Sequence, residues 1–217
     1  EYGYSTIHSV RDYQSRVPVR SYEEYLPFIE RLRNGEINLT WPGYIKWFAK
    51  SSGTTSAKSK FIPISKESLN GCHYRAAKDI LIIYAFNNPD TRIFSGKALT
   101  LGGSNRINQQ SNKSIYGDLS AVLICNAPSY VEFLRTPSQK IALIEDFEEK
   151  LELITKITVK QNVTSFSGVP SWYLTLIKNV LARTGKSSLL DVWPNLEVFF
   201  HGGISFTPYR EIYKKLI

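Results

Sequence analysis

The sequence predicts an α/β fold with a mainly parallel sheet flanked by helices. In the last third, a strand at Val163–Phe166 is followed by a turn and a helix from Ser171 to Leu181. A second strand at Leu196–Phe200 leads through a turn to a helix that begins at Thr207. Successive strand–turn–helix units imply parallel strands covered by helices. The apolar run 121–125 predicts another strand, buried on both faces.

Residues 21–35 are predicted to form a helix that precedes the first strand. Ser21 is followed three positions later by Glu24, the spacing of a capping box. An apolar stripe at helical spacing follows, and Asn34-Gly35 ends it. Pro27 inside this stripe predicts a kink or a split into two short helices. The stripe consists of Leu26, Ile29 and Leu32.

The middle of the chain predicts short strands, one long helix and a polar loop. Alternating apolar residues indicate strands on both sides of residues 51–60. Ser65 is a predicted helix cap. The helix that follows should have one apolar face, formed by Leu69, Cys72, Ala76, Ile80 and Ile83. We then expect a strand at Lys97–Leu101 and a surface loop that continues to Gly117. Residues 139–156 are predicted to be helical, with a solvated acidic face.

Composition limits the class of protein without choosing one. The 217 residues are 42% hydrophobic and 13% aromatic, enough for a packed core. No apolar run reaches the roughly 18 residues of a membrane span. The formal charge of +8 is scattered, with no basic run typical of nucleic-acid binding, and suits anionic substrates. Cys72 and Cys125 are predicted to be buried free thiols, which weakly favours a cytoplasmic location.

Residues 51–60 form the stretch around which we expect the chain to be organised. This loop, Ser-Ser-Gly-Thr-Thr-Ser-Ala-Lys-Ser-Lys, lies between the two strand-like segments. Gly53 allows a close backbone approach, the hydroxyls and amides donate hydrogen bonds, and Lys60 supplies positive charge. That set suits a polyphosphate, although such clusters are also ordinary linkers. A Walker A loop is excluded, because Ala57 stands before Lys58 where that motif requires glycine.

Together with the strand containing Pro63, this loop resembles the phosphate loop of adenylate-forming enzymes. Its nearest resemblance is to the auxin-responsive acyl acid amido synthetases. The stretch from Tyr13 to Gly35, with Val-Pro-Val, Tyr-Glu-Glu and Pro-Phe-Ile-Glu-Arg, is similar to that family alone. The departures are Ser56 and Ala57, where the family carries a glycine pair, and Ser59.

The resemblance implies activation of a carboxylic acid by ATP and Mg, followed by conjugation to an amino acid. It makes Lys60 and Thr54 the predicted catalytic residues. Predicted phosphate contacts are Ser51, Ser52, Gly53, Thr54, Thr55 and Lys60. No residue is predicted to bind metal directly, because three histidines without paired spacing do not suggest a site.

Two later segments resemble further parts of the same site. The Gly-Val-Pro-Ser-Trp turn at 168–172 resembles a strand–helix junction of these enzymes, and Phe199–Phe206 resembles their glycine-pair segment. Glycines at a strand's carboxyl end let a flat ligand approach the backbone. Nucleotide-binding residues predicted here are His201, Gly202 and Gly203. Predicted acyl-binding residues are Ile204, Ser205, Val169 and Tyr74.

The resemblance also implies a domain plan. We expect 1–217 to be the N-terminal portion of an adenylation domain, with a lead-in at 1–50, a phosphate-loop half at 51–160 and the two strand–turn–helix units at 161–217. The chain begins at Glu1 and contains no methionine, so we expect it to continue at both ends. Two alternatives remain open: a non-catalytic nucleotide- or anion-binding module, and an adenylate-forming ligase with a thiol acceptor. The acyl acid, the acceptor and the oligomeric state stay undetermined.

Overall fold

The computed structural model describes residues 2–51, 59–103 and 114–217, and its strands form two sheets. In sheet A the order is β2-β1-β4, with β1 antiparallel to β2 and parallel to β4. In sheet B the order is β5-β3-β6-β7 and every pair is parallel. The predicted mainly parallel α/β fold is therefore confirmed. The strands are β1 (Trp47–Lys50), β2 (Phe61–Ile64), β3 (Lys97–Leu101), β4 (Ile115–Gly117), β5 (Arg135–Thr136), β6 (Val163–Gly168) and β7 (Val198–His201).

Helices cover both sheets, and none within the described residues has the length and apolar character needed to cross a membrane. A π-helical turn, Leu69–His73, joins α3 to α4, and a 3₁₀ turn, Thr207–Tyr209, precedes α11. The helices are α1 (Val10–Arg16), α2 (Tyr22–Arg33), α3 (Lys66–Ser68), α4 (Tyr74–Asn87), α5 (Leu119–Asn126), α6 (Val131–Leu134), α7 (Gln139–Ala142), α8 (Phe147–Thr158), α9 (Pro170–Thr184), α10 (Leu189–Val192) and α11 (Arg210–Lys214).

The larger core lies between sheet B and the helices that follow its strands. Phe166 on β6 packs edge-on against Trp193, with ring centroids 5.4 Å apart, and both side chains are buried. The Trp193 indole N–H donates to Thr158 O at the end of α8 (2.9 Å). The Tyr213 hydroxyl of α11 donates to Pro170 O at the start of α9 (2.8 Å). These bonds satisfy buried polar groups and tie the helices together.

Helix α2 packs on sheet A through a smaller core. The Ser21 N–H donates to Glu24 Oε2 (2.6 Å), which confirms the predicted capping box. The predicted split at Pro27 is wrong, because α2 is one continuous helix. Ile29 and Leu32, which follow Pro27, are buried against β1. Their packing holds the second half of the helix in place despite the hydrogen bond that proline cannot donate.

The apolar run 121–125 is a helix, so the predicted strand is wrong. It lies within α5, where Ala121, Val122 and Ile124 are buried. A short, continuously apolar segment suits a buried strand and a buried helix equally well, and periodicity cannot separate them. The strand of this region is β4 instead, which ends the segment predicted as a surface loop and pairs with β1.

Two predicted helical regions also differ in detail. The region 139–156 is divided into α7 and α8, and Asp146 caps α8 by accepting from Glu149 N–H (2.7 Å). Ser65 caps α3 as predicted, accepting from Ser68 N–H (3.0 Å). Of the apolar face predicted for α4 only Leu69 is buried; Cys72, Ala76, Ile80 and Ile83 are exposed. The two cysteines form no disulfide with each other, but the burial predicted for Cys72 is wrong.

Candidate active site

The two ends of the predicted phosphate loop, Ser51 and Lys60, are hydrogen-bonded to each other where the loop leaves sheet A. We call this residue pair the closed neck of the loop. The Ser51 N–H donates to Lys60 O (2.9 Å), and the Lys60 N–H donates to Ser51 Oγ (3.2 Å). The first of these bonds continues the antiparallel ladder of β1 and β2 by one residue pair, and the second adds a side-chain contact to it. The sheet therefore fixes where both ends of the loop stand. Loop positions 52–58, which include Ser52, Gly53, Thr54, Thr55, Ser56 and Ala57, lie outside the described residues, and their contacts stay predictions.

Lys60 stands at this neck beside the first turn of α2. Its Nζ lies 3.5 Å from Glu23 Oε1 and 4.9 Å from the centre of the Tyr22 ring. The Lys60 side chain is 39% exposed to solvent, so an anionic ligand can still reach it. The pKa of Glu23 is lowered, first by a hydrogen bond with its own backbone and then by the charge of Lys60.

A second group of predicted residues meets at the carboxyl edge of sheet B. In the register of the parallel strands, Leu101 pairs with Gly168, and Gly168 pairs with His201. The three strands β3, β6 and β7 therefore end side by side, each at or just before a glycine. The glycines are Gly102, Gly168 and Gly202. This is the edge at which open α/β sheets bind ligands.

The glycines at this edge differ in their surroundings. A Cβ on Gly168 would lie 2.6 Å from Leu101 O and 2.9 Å from a ring carbon of Tyr173, so close strand packing requires glycine there. A Cβ on Gly202 would meet nothing within 4 Å. Gly203 has a φ of +83°, which favours glycine. Gly202 thus offers bare backbone to a ligand, whereas Gly168 and Gly203 shape the turn.

The segment after β7 is held by aromatic stacking. The ring of His201 stacks on Phe206, with centroids 4.5 Å apart and an interplanar angle of 24°. The Gly202 N–H donates to Gly168 O (3.2 Å). Val169 lies beside the turn, since a Cβ on Gly203 would be 3.3 Å from Val169 Cγ2. The predicted residues Ile204 and Ser205 are exposed on this turn.

Tyr74, the remaining predicted acyl-binding residue, lies on sheet A rather than at this edge. Its hydroxyl donates to Leu123 O of α5 (2.8 Å). Partial burial, with a smaller contribution from Cys125, raises the pKa of Tyr74 to about 12. At its other end α4 reaches β7, where the Tyr84 and Phe200 rings lie 5.7 Å apart. Helix α4 therefore runs from the loop-bearing sheet to β7, where the Tyr84 hydroxyl also donates to Glu197 Oε2 (3.3 Å).

The sequence did not single out Lys150, although this residue lies next to the same edge. Lys150 on α8 is buried, and its Nζ lies 3.3 Å from Gly103 O and 3.5 Å from Gly102 O. The Gly103 N–H donates to Ser120 Oγ (2.9 Å), and Asp118 packs against Gly103. The ends of β3 and β4, and hence the two sheets, meet here. The i,i+4 spacing of Asp146 and Lys150 is typical of an exposed ion pair and gives no sign of this burial.

The buried amine predicts a pH dependence of stability. Burial lowers the pKa of Lys150 from 10.5, and Asp118 opposes this shift. Between the folded pKa and 10.5 the unfolded chain binds more protons, so the free energy of unfolding rises with pH in that window. We expect urea titrations between pH 7 and about 9.5, below tyrosine ionisation, to show a steeper rise for the wild type than for Lys150→Met. The exposed Lys156→Met on α8 is the matched control, and equal slopes for all three proteins would contradict the prediction.

Metal ligands and one surface depression bear on the position of the predicted site residues. In the part of the chain that the structure describes, no three acidic, histidine or cysteine side chains are grouped to hold a metal ion, so we assign none to magnesium. A depression of about 370 Å³, lined by Phe94, Lys97 and Phe133 among others, lies at the amino ends of β3 and β6. It is on the opposite edge of sheet B from the glycines.

Comparison with solved structures shows which class of proteins shares this fold. The structure superposes on a GH3.15 acyl acid amido synthetase with a TM-score of 0.70, at 18% identity, over 97% of this chain and 46% of that one. The AtGH3.15 acyl acid amido synthetase in complex with 2,4-DB gives a TM-score of 0.70 at 17% identity, over 96% and 46%. The fold is therefore shared with acyl acid amido synthetases.

The family follows from the sequence. The GH3 family N-terminal domain matches residues 1–217, and the chain belongs to the GH3 family. A stretch of 88 residues is 30% identical to jasmonoyl--L-amino acid synthetase JAR6 of Nicotiana attenuata, covering 40% of this chain and 14% of that protein. The resemblance found in the sequence is confirmed. The chain spans less than half the length of these relatives.

Proposed function

We propose that this chain is the N-terminal portion of an adenylation domain that activates a carboxylic acid with ATP and transfers the acyl group to an amino acid. The observation that carries the proposal is the row of strand ends at Gly102, Gly168 and Gly202, in a chain of the GH3 family. The closed neck at Ser51 and Lys60 adds the start of a phosphate site.

In the first step, a carboxylate oxygen of the acid attacks the α-phosphorus of ATP. A bond from that oxygen to phosphorus forms, the bond from phosphorus to the bridging oxygen breaks, and pyrophosphate leaves. An ionised carboxylate requires positioning and charge neutralisation rather than a general base. Lys60 would stabilise the charge of the leaving pyrophosphate, and Ser51 with the loop hydroxyls, Thr54 among them, would bind phosphate oxygens. Magnesium would arrive with ATP.

In the second step, the amine of an amino acid attacks the acyl carbon, loses a proton, and AMP leaves. The amino acid as acceptor is supported by the relatives: one is named jasmonoyl--L-amino acid synthetase, and the solved ones acyl acid amido synthetases. A small carboxylic acid as acyl donor is supported by the AtGH3.15 complex with 2,4-DB. We place this chemistry in the cytoplasm.

The proposed binding surface follows the geometry of the two sheets. The nucleotide would lie along Gly202 and Gly203 with His201 at its side, because the exposed backbone there lacks side chains. The acyl group would lie between this turn, with Val169, Ile204 and Ser205, and helix α4, on which Tyr74 stands. Helix α4 supports this arrangement, since Tyr74 packs on the cluster that contains Ala49 and Ile64 of sheet A, and the Tyr84 ring contacts Phe200 of β7.

The test is acid-dependent ATP–pyrophosphate exchange by the full-length protein that carries this chain. The assay uses a panel of aliphatic and aromatic carboxylic acids, with ATP alone as the blank. Exchange with at least one acid is expected, and product analysis with amino acids or a thiol then separates amide from thioester formation. MgATP binding without exchange for any acid would instead support a nucleotide-binding module, and absence of both would refute the proposal.

A further inference from the structure

We propose that Tyr22 is a positioning residue for Lys60, with Glu23 as a second restraint, so that the first turn of α2 is part of the phosphate site. This proposal rests on the function proposed for Lys60 above. Tyr22 and Glu23 belong to the Tyr-Glu-Glu stretch that the sequence analysis singled out without giving it a role. The structure places that stretch directly against the end of the phosphate loop.

Tyr22 is anchored to the backbone next to Lys60. Its hydroxyl accepts a hydrogen bond from the Phe61 N–H (2.8 Å) and lies 3.4 Å from Phe61 O. The Lys60 Nζ lies over the same ring, 4.9 Å from its centroid, which is within the range of a cation–π contact. A single side chain therefore fixes the first residue of β2 and provides a platform for the amine.

Helix α2 is itself fixed against β2 at both ends. At its start, the capping box formed by Ser21 and Glu24 orders the turn that contains Tyr22. At its end, the Arg33 guanidinium lies over the Phe61 ring, 4.0 Å from its centre. Tyr22 bonds the backbone of Phe61, and Arg33 packs on the Phe61 ring. These contacts hold the Tyr22 ring in a fixed position relative to Phe61, the residue that follows Lys60.

The charges around Lys60 explain why positioning is needed. Glu23 is 68% exposed and Lys60 39% exposed, and an exposed ion pair of this kind contributes little to stability. A lysine amine is a mobile point charge on a flexible stem, unlike the rigid fork of arginine. Restraining that stem on Tyr22 and Glu23 reduces the freedom that Lys60 must lose when it stabilises pyrophosphate. The contacts thus act on the reaction more than on folding.

The experiment is a double-mutant cycle on Tyr22 and Lys60, measured by ATP–pyrophosphate exchange in the full-length protein. Tyr22→Leu removes the ring and the hydroxyl, and we expect a loss of kcat of about 3–10-fold with the KM for the carboxylic acid unchanged. Tyr22→Phe keeps the ring and is expected to lose less. In a Lys60→Ala background, Tyr22→Leu is expected to have no further effect on kcat.

The cycle separates positioning from a structural role. A loss of stability acts with or without Lys60, so an equal kcat loss from Tyr22→Leu in both backgrounds would overturn the proposal. Full activity of Tyr22→Leu beside an impaired Lys60→Ala would overturn it while leaving the proposed function intact. An unimpaired Lys60→Ala would overturn the proposal and remove Lys60 from the mechanism, while the exchange that this variant still catalyses would support the proposed function. Glu36→Gln, which breaks the exposed ion pair between Arg31 of α2 and Glu36, is the matched control and should leave exchange unchanged.

Discussion

Lys60→Ala is expected to slow acid-dependent ATP–pyrophosphate exchange by a factor of about 10²–10³, the usual cost of removing one preorganised charge-stabilising group. Lys60 stands where the proposed phosphate loop rejoins β2, its backbone is bonded to Ser51, and its amine is accessible to an anion. Because charge accumulates on pyrophosphate as it leaves, the loss should fall mainly on kcat rather than on the KM for ATP.

The control for this result is Lys66→Ala, which removes an exposed lysine six positions further along the chain. It changes the net charge equally and has no place in the proposed site, so exchange should stay close to the wild-type rate. A loss below about threefold for Lys60→Ala would remove this residue from the mechanism. A comparable loss for Lys66→Ala would indicate a general effect of net charge on anionic substrates.

Gly168→Ala is expected to destabilise the fold by about 1–3 kcal/mol, the range for overpacking a close contact. The new methyl group would approach Leu101 O to 2.6 Å and the Tyr173 ring to 2.9 Å. Tyr173 cannot move away easily, because it is buried and its hydroxyl donates to Leu99 O. The strand ends of β3 and β6 must separate, and urea denaturation would measure the resulting loss.

Gly202→Ala is the matched control on the neighbouring strand. A Cβ there meets nothing within 4 Å, so the free energy of unfolding should change by no more than about 0.5 kcal/mol. If a nucleotide lies against this backbone, the same substitution should still weaken MgATP binding, measured by calorimetry. Equal losses of stability for Gly168→Ala and Gly202→Ala would contradict the interpretation of this edge.

The last third of the chain was the part most completely predicted. Its strands end at Gly168 and His201, and its helix starts at Pro170 and Thr207-Pro208 are marked by proline and threonine. The parallel pairing of β6 and β7 followed from their order, because a short strand–helix–strand connection allows little else. The first turn after Thr207 is a 3₁₀ turn, a detail that these signals do not specify.

Other features were not predictable because they depend on partners distant in the chain. Lys150 looks like half of a surface pair with Asp146, yet its stem is buried and its amine reaches the carbonyl groups after β3. The contact of Lys60 with Tyr22 and Glu23 joins segments nearly 40 residues apart in sequence. The stacking of His201 on Phe206 likewise required the turn between them to fold back.

By itself, the sequence determined the fold class and the family, and it predicted a phosphate loop at residues 51–60, because these depend on local signals: turn residues, helix caps, apolar periodicity and hydroxyl-rich composition. The tertiary structure alone decided that residues 121–125 form a helix, that the predicted apolar face of α4 is largely exposed, and that Lys150 is buried. The physical reason is that burial and charge pairing are set by which surfaces meet, and local sequence does not record where those surfaces lie.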